Sequence, residues 1–237
     1  SDRQKSYLKG INLEGADLRG MDMRGAKMMR ANLKDARLDN ANFENAVMQR
    51  ANVYGADLGR ANFNDADLRH ADLQTAYLDN ASFENANLSS ADLTGVFSDE
   101  ATFEGADLKG ATLVRASFKN ANLSRAYLRT ANLCKASFEN ADLSFANLRE
   151  TSNYKSTFEN ANLTGANLRN ARLEDANLSH AEFKDVDLSS TTIIDSIYDH
   201  TKNLDLSESN EPEAYSNVEL SDDDLSDLND VKKGLEL

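Results

Sequence analysis

Three histidines, one cysteine and forty Asp and Glu residues are the side chains of this 237-residue chain that could serve as acid, base, nucleophile or metal ligand. Their spacing does not assemble that chemistry. His70, His180 and His200 are scattered. There is no Ser/His/Asp set, no phosphate-cradling glycine loop, no dinucleotide fingerprint and no Cys/His cluster at zinc spacing. Cys134 is alone, which excludes an internal disulfide and suits a reducing compartment. Glu84 and Glu104 could share a divalent cation, but hard cations want several converging oxygens, so they read as solvated acids. No catalytic residue, cofactor or metal is expected, and the chain reads as a non-enzyme.

The charged residues become informative once the element that carries them is known. From Leu8 to Ile193 a large apolar residue is due at every fifth position, and 36 of these 38 positions are apolar; Ser98 and Asn153 are the exceptions. Two residues earlier stands Ala in 30 of the 38 units. The phrase is Ala–(Asp/Asn)–Leu–x–x, as in Ala91-Asp92-Leu93-Thr94-Gly95 and Ala121-Asn122-Leu123-Ser124-Arg125.

A period of five fits neither helix nor strand. A helix would turn about 500° per unit, so no face could collect the Leu residues, and a strand would alternate them between two sides. The pattern needs extended corners joined by turns, with four units closing a square coil of 20 residues. In this the sequence resembles the pentapeptide-repeat family over residues 6–198. The resemblance implies an all-β fold, a right-handed quadrilateral β-helix of nine to ten coils. At about 4.8 Å per coil the rod is ~46 Å long. Nine of the eleven Gly end a unit, where positive φ would be needed, and Pro212 lies outside the array. Phe43, Phe63, Phe83 and Phe103 are spaced by 20, then Phe118, Phe138 and Phe158 take over one face earlier, so each coil holds about one core ring.

Counting by 20 sorts outward side chains into four faces, named here by their first central residue. The Leu8 face is net +5 and offers Lys109, Arg129, Arg149 and Arg169 as candidate contacts. The Leu18 face opposite is net −4, with Asp39, Asp79, Asp99, Glu139 and Glu159 in one column; the Met23 face is net −5, with Glu44, Glu84 and Glu104. The Leu13 face is net −2 but turns basic late, where Arg115, Lys135 and Lys155 flank a stripe of Val114, Cys134 and Tyr154. At the two irregular units the inward Ser98 and Asn153 must find polar partners, through local reshaping or through a bulge that serves recognition.

Residues 1–198 form the expected β-helix domain and 199–237 an acidic tail, which carries −9 of the total −14. Residues 205–217 read as a linker. Ser221 to Asp224 starts a short helix expected near 222–233, a candidate cap or dimer contact, unless the tail is disordered. No 18-residue apolar run is present, so no membrane span is expected, and Ser1–Lys9 lacks a signal-peptide pattern, so a cytoplasmic location is expected. The leading functional expectation is a scaffold that binds an unknown protein. The family resemblance adds a DNA-mimic alternative that binds DNA gyrase or another type II topoisomerase and protects it from quinolones or toxins. The basic face adds phosphate or nucleic-acid binding, and either end of the rod could pair two copies.

Overall fold

A five-residue unit with Asn or Asp at its second position can satisfy all of its amides, which favours repetition of the phrase. In unit 31–35, Ala31 N–H donates to the Met28 carbonyl and closes the turn, while Asn32 N–H reaches back to Ile11. Leu33 and Asp35 N–H reach forward to Asn52 and Tyr54, and Lys34 N–H is taken by the Asn32 side chain at 3.2 Å. In such a unit no amide is left over, and the inward-reaching amides are paired throughout the ladder, so the chain can coil around an apolar interior.

The computed structural model describes residues 8–209. Residues 20 apart pair in parallel, from Asn12 with Asn32 to Glu182 with Lys202. Pairing is one residue per side except in two strands, β1 (Arg172–Glu174) and β2 (Thr192–Ile194), which are parallel neighbours. The fold is the right-handed quadrilateral β-helix, with no helix among the described residues. The ladder runs four residues past 198. Beyond it, Leu204 and Leu206 pack on the core and Ser190 N–H donates to the Glu208 carbonyl, where a linker was expected. The helix expected near 222–233 and the rest of the acidic tail lie outside the described residues.

The first and central residues of each unit point inward and are buried from Ala26 to Phe183, whereas Leu8, Ile11, Leu13, Leu18 and Met23 in the first coil and Val186 and Tyr198 near the other end are half-buried. Phe43, Phe63, Phe83 and Phe103 stack at 4.8–4.9 Å with planes within 4°, the spacing of paired strands. Phe118, Phe138 and Phe158 form the second column.

Glycine does not mark the tight corners in particular. Every unit-final residue from Gly10 to His200 has φ between 53° and 68°, glycine or not. With a bond from residue i+3 back to the central carbonyl at nearly every corner, the turns have a type II pattern, and Asn, Asp, Arg and even Phe145 accept it. The ladder imposes the conformation and offsets its strain.

Neither irregular unit bulges. Ser117 and Arg172 still pair with Phe97 and Ser152, and Glu100 and Lys155 keep the corner φ. Ser98 Oγ donates to the Ser117 carbonyl at 2.6 Å. Asn153 Nδ2 donates to Thr151 Oγ1 at 2.9 Å, and Thr151 and Ser156 Oγ donate to the Leu148 and Asn153 carbonyls. The two polar interiors are accommodated by local hydrogen bonds, without the bulge or the reshaping that was expected.

Candidate functional site

The consensus Asp/Asn column holds the turns. Arg19, Arg69, Thr94, Lys109 and Arg149, among many others, each donate a backbone N–H to the Asx side chain two residues before. Acids at these positions are therefore part of the scaffold. The side chains left outside the scaffold are those of the two outer columns of each face and the few large ones that take the Asx position.

On the Leu18 face, Tyr77 and Phe97 occupy Asx positions in consecutive coils. Their rings stack at 5.2 Å and are about half exposed. Beside them Asp79 Oδ1 accepts the Asp99 N–H at 3.1 Å, and Asp99 accepts Ser117 Oγ at 2.5 Å. Burial, helped by Asp99, Glu100 and Asp57, raises the Asp79 carboxyl above its ordinary range. Gly59 interrupts the acidic column. It leaves a notch of about 170 Å³ lined by Asp39, Asn40, Arg60, Asp79 and Asn80. The same column is neutralised lower down, where Lys119 pairs with Glu139 at 2.7 Å, and Glu159 accepts the Asn177 amide.

The Met23 face presents Glu44, Glu84 and Glu104, of which Glu104 meets Arg125 at 3.4 Å. Phe145 is the most exposed aromatic among the described residues, 62%, and its ring lies over Gly165, where an added Cβ would come within 2.6 Å.

The basic residues singled out from sequence are less free than their column promised. Glu150 pairs with Arg129 at 3.0 Å and lies 3.8 Å from Arg149, and Arg169 and Arg149 help to lower the Asp187 carboxyl after the Ser189 hydrogen bonds do so. Lys109, Tyr127 and Arg129 line a shallow cleft of about 330 Å³. On the Leu13 face Arg115, Lys135 and Lys155 form one corner column. Lys155 Nζ lies 5.1 Å from the Tyr154 ring centroid, and contact with Tyr154 raises its pKa. Cys134 Sγ is 3.4 Å from Ser152 Oγ.

Three groupings were not picked out from the sequence. Tyr77 and Phe97 stack, and His180 and His200, expected to be scattered, stack at 5.1 Å. Both pairs are 20 apart, so the column count would have found them had it been applied to outward aromatics. The third is a basic cleft at the start of the rod formed by Lys9, Arg30, Arg50, Arg69 and His70. No group of three or more His, Cys, Asp and Glu among the described residues could hold a metal ion.

The model of the pentapeptide repeats matches residues 6–45, 26–65, 61–97, 99–133, 116–152 and 156–192. The match skips Ser98 and residues 153–155, the two units with polar interiors. No match was found among curated proteins. Among solved structures, similarity extends to HetL, a pentapeptide repeat protein involved in heterocyst differentiation regulation in the cyanobacterium Nostoc. It is 27% identical, over 91% of this chain and 95% of that one, with a TM-score of 0.45. A thylakoid-lumen pentapeptide repeat protein of Arabidopsis thaliana is 31% identical over 41% of this chain and 68% of its own, with a TM-score of 0.41. QnrB1, a plasmid-mediated fluoroquinolone resistance protein, is 17% identical over 92% and 98%, with a TM-score of 0.41.

Proposed function

The chain belongs to the pentapeptide-repeat family, and from that premise we propose that it is a non-enzymatic scaffold whose Leu18 face binds a protein partner. The observation that carries this is the stacked, exposed Tyr77–Phe97 pair, set on a rigid ladder and edged by Asp79 and Asp99. Rigid aromatics lose little entropy on binding and dominate interface energetics. The acids call for a basic partner surface, and the notch at Gly59, between Asp39 and Asp79, has room for one Lys or Arg side chain.

Incorporating a photo-crosslinking residue at Phe97 in cells identifies the partner. Its affinity for purified protein should then fall at least about tenfold in Tyr77→Ser/Phe97→Ser, since a hot-spot aromatic contributes about 2 kcal/mol. An unchanged affinity in that variant removes the Leu18 face from the interface.

A second reading is a type II topoisomerase partner, favoured by the crowding of Asp79, Asp99 and Glu100, which gives this side a concentrated negative field. If that reading holds, the protein restores gyrase supercoiling in the presence of a quinolone, and Asp79→Asn/Asp99→Asn weakens the rescue. Failure to restore supercoiling at any concentration rejects it. Phosphate or nucleic-acid binding around Lys109, Arg129, Arg149 and Arg169 has less support, because Glu150 occupies two of the four cations.

A further inference from the structure

We propose that the N-terminal end of the Leu8 face is a binding cleft for a compact phosphoanion, a ligand with two or three linked phosphoryl groups. The cleft encloses about 280 Å³ and is lined by Lys9, Arg30, Gln49, Arg50, Arg69 and His70. Backbone bonds hold the wall in register. Gly10, Arg30 and Arg50 N–H donate to the carbonyls of Met29, Gln49 and Arg69, each at 2.9 Å. The cations therefore rise one ladder step per coil, about 4.8 Å, and span roughly 14 Å over four coils.

Arg30 and Arg50 leave the backbone from the same corner position, with φ of 58° and 56°, so their side chains start side by side. Like charges opposed on a ladder destabilise it. Among the described residues neither they nor Lys9 enters an ion pair. The one carboxylate in these four units of the face is taken. Asp67 accepts Arg69 Nε and a terminal Arg69 nitrogen at 2.9 and 2.7 Å, and Gln49 Nε2 at 2.6 Å. Two guanidinium groups and an ammonium facing one hollow match the paired-oxygen geometry of phosphoryl groups.

The cluster is set apart from the later cations of this face, which favours a short ligand over a nucleic acid strand. The next unit on this face, residues 86–90, has no charge, and beyond it Arg129 and Arg149 share Glu150. A polynucleotide gains affinity from cations that continue without a break along its length, whereas here the uncharged unit 86–90 separates this cluster from Lys109, Arg129, Arg149 and Arg169.

Isothermal titration of the full chain with sodium tripolyphosphate, ATP, sulfate and a short DNA duplex tests this. One tripolyphosphate should bind per chain, more tightly than sulfate, and more weakly as salt rises. Arg30→Asn/Arg50→Asn should weaken it at least about tenfold. Asn170 already holds the same corner column with φ 57°, so the variant keeps the fold, which circular dichroism verifies. Arg129→Asn/Arg149→Asn should bind as the parent does. Equal affinity for ATP assigns recognition to the phosphoryl chain alone, and tighter ATP binding assigns it to a nucleotide. Absence of tripolyphosphate binding, equal losses in both double variants, or tighter binding of duplex DNA overturns the proposal.

Discussion

The ring of Phe118 stands edge-on to the ring of Phe103, with centroids 5.3 Å apart and planes at 72°, where each column is otherwise stacked in parallel. The two rings sit in consecutive coils on adjacent faces, so their columns overlap only here. Ser98 precedes Phe118 in its column and lies in the same coil as Phe103, fully buried. A small residue at that point gives the second ring room to enter, and its hydroxyl is satisfied by the Ser117 carbonyl.

Ser98→Leu should therefore destabilise the rod by overpacking, by about 1–3 kcal/mol, although it restores the consensus. Phe118→Ala should cost about 3–5 kcal/mol through the cavity it leaves. Urea unfolding measures both, and a Ser98→Leu variant as stable as the parent would refute the packing role given to Ser98.

The coil, its 20-residue lap, the inward columns and the ring columns could all be read from residue order, because one packing rule acts in every unit. Conflicts between columns could not. Ser98 looks like a lapse in the period until Phe103 and Phe118 are seen to cross over it. The charge of a face was legible, but its availability was not. Whether Arg149 is free depends on which way Glu150 turns, and both belong to the same unit. Arg30 and Arg50 looked like two more basic residues, and only the hollow between the corner columns sets them apart.

Asn153 is the opposite case from Ser98. Its Oδ1 is buried without a partner, and Thr151 and Ser156 stand where Ala is usual. The coil before it holds Ala131, Leu133, Ala136 and Phe138 on the same backbone, so the apolar version is known to fit. Thr151→Ala/Asn153→Leu/Ser156→Ala should raise Tm, because an unsatisfied buried polar group costs about 1–3 kcal/mol. Differential scanning calorimetry decides it, and a lower Tm would show that this polar group stabilises its coil.

The Asx column predicts a uniform capping contribution. Asp92 Oδ1 accepts the Thr94 N–H at 2.9 Å. Asp92→Ala should cost about 1 kcal/mol by leaving that amide without its acceptor, and Asp92→Asn should cost much less because the carbonyl oxygen remains. Chemical denaturation of the two variants separates turn capping from charge. Equal losses would mean that the carboxylate charge, not the hydrogen bond, is what matters at this position.

Two carboxylates on the Leu18 face should respond to pH with opposite sign. Asp17 is lowered to about 2, first by its hydrogen bond from Arg19, so it stabilises the fold above the ordinary carboxyl range and loses that contribution as pH falls through its folded value. Asp79 is raised, first by burial and then by its acidic neighbours, so the folded state binds its proton more readily than the unfolded one. Its charge opposes folding at neutral pH, and the penalty disappears as pH falls below the ordinary value of 3.8. Asp79→Asn keeps the acceptor for the Asp99 N–H and removes the repulsion. It should raise Tm at pH 7, with the gain vanishing in acid. Asp17→Asn should lower Tm at pH 7 by a small, salt-sensitive amount, since the Arg19 pair is exposed. Melting curves of both variants from pH 7 to below pH ~2 follow each difference through the carboxyl titration. A fall in Tm for Asp79→Asn at pH 7 would show that its carboxylate is stabilised in the folded rod, and the acidic column would then lack the stored repulsion that a basic partner could relieve.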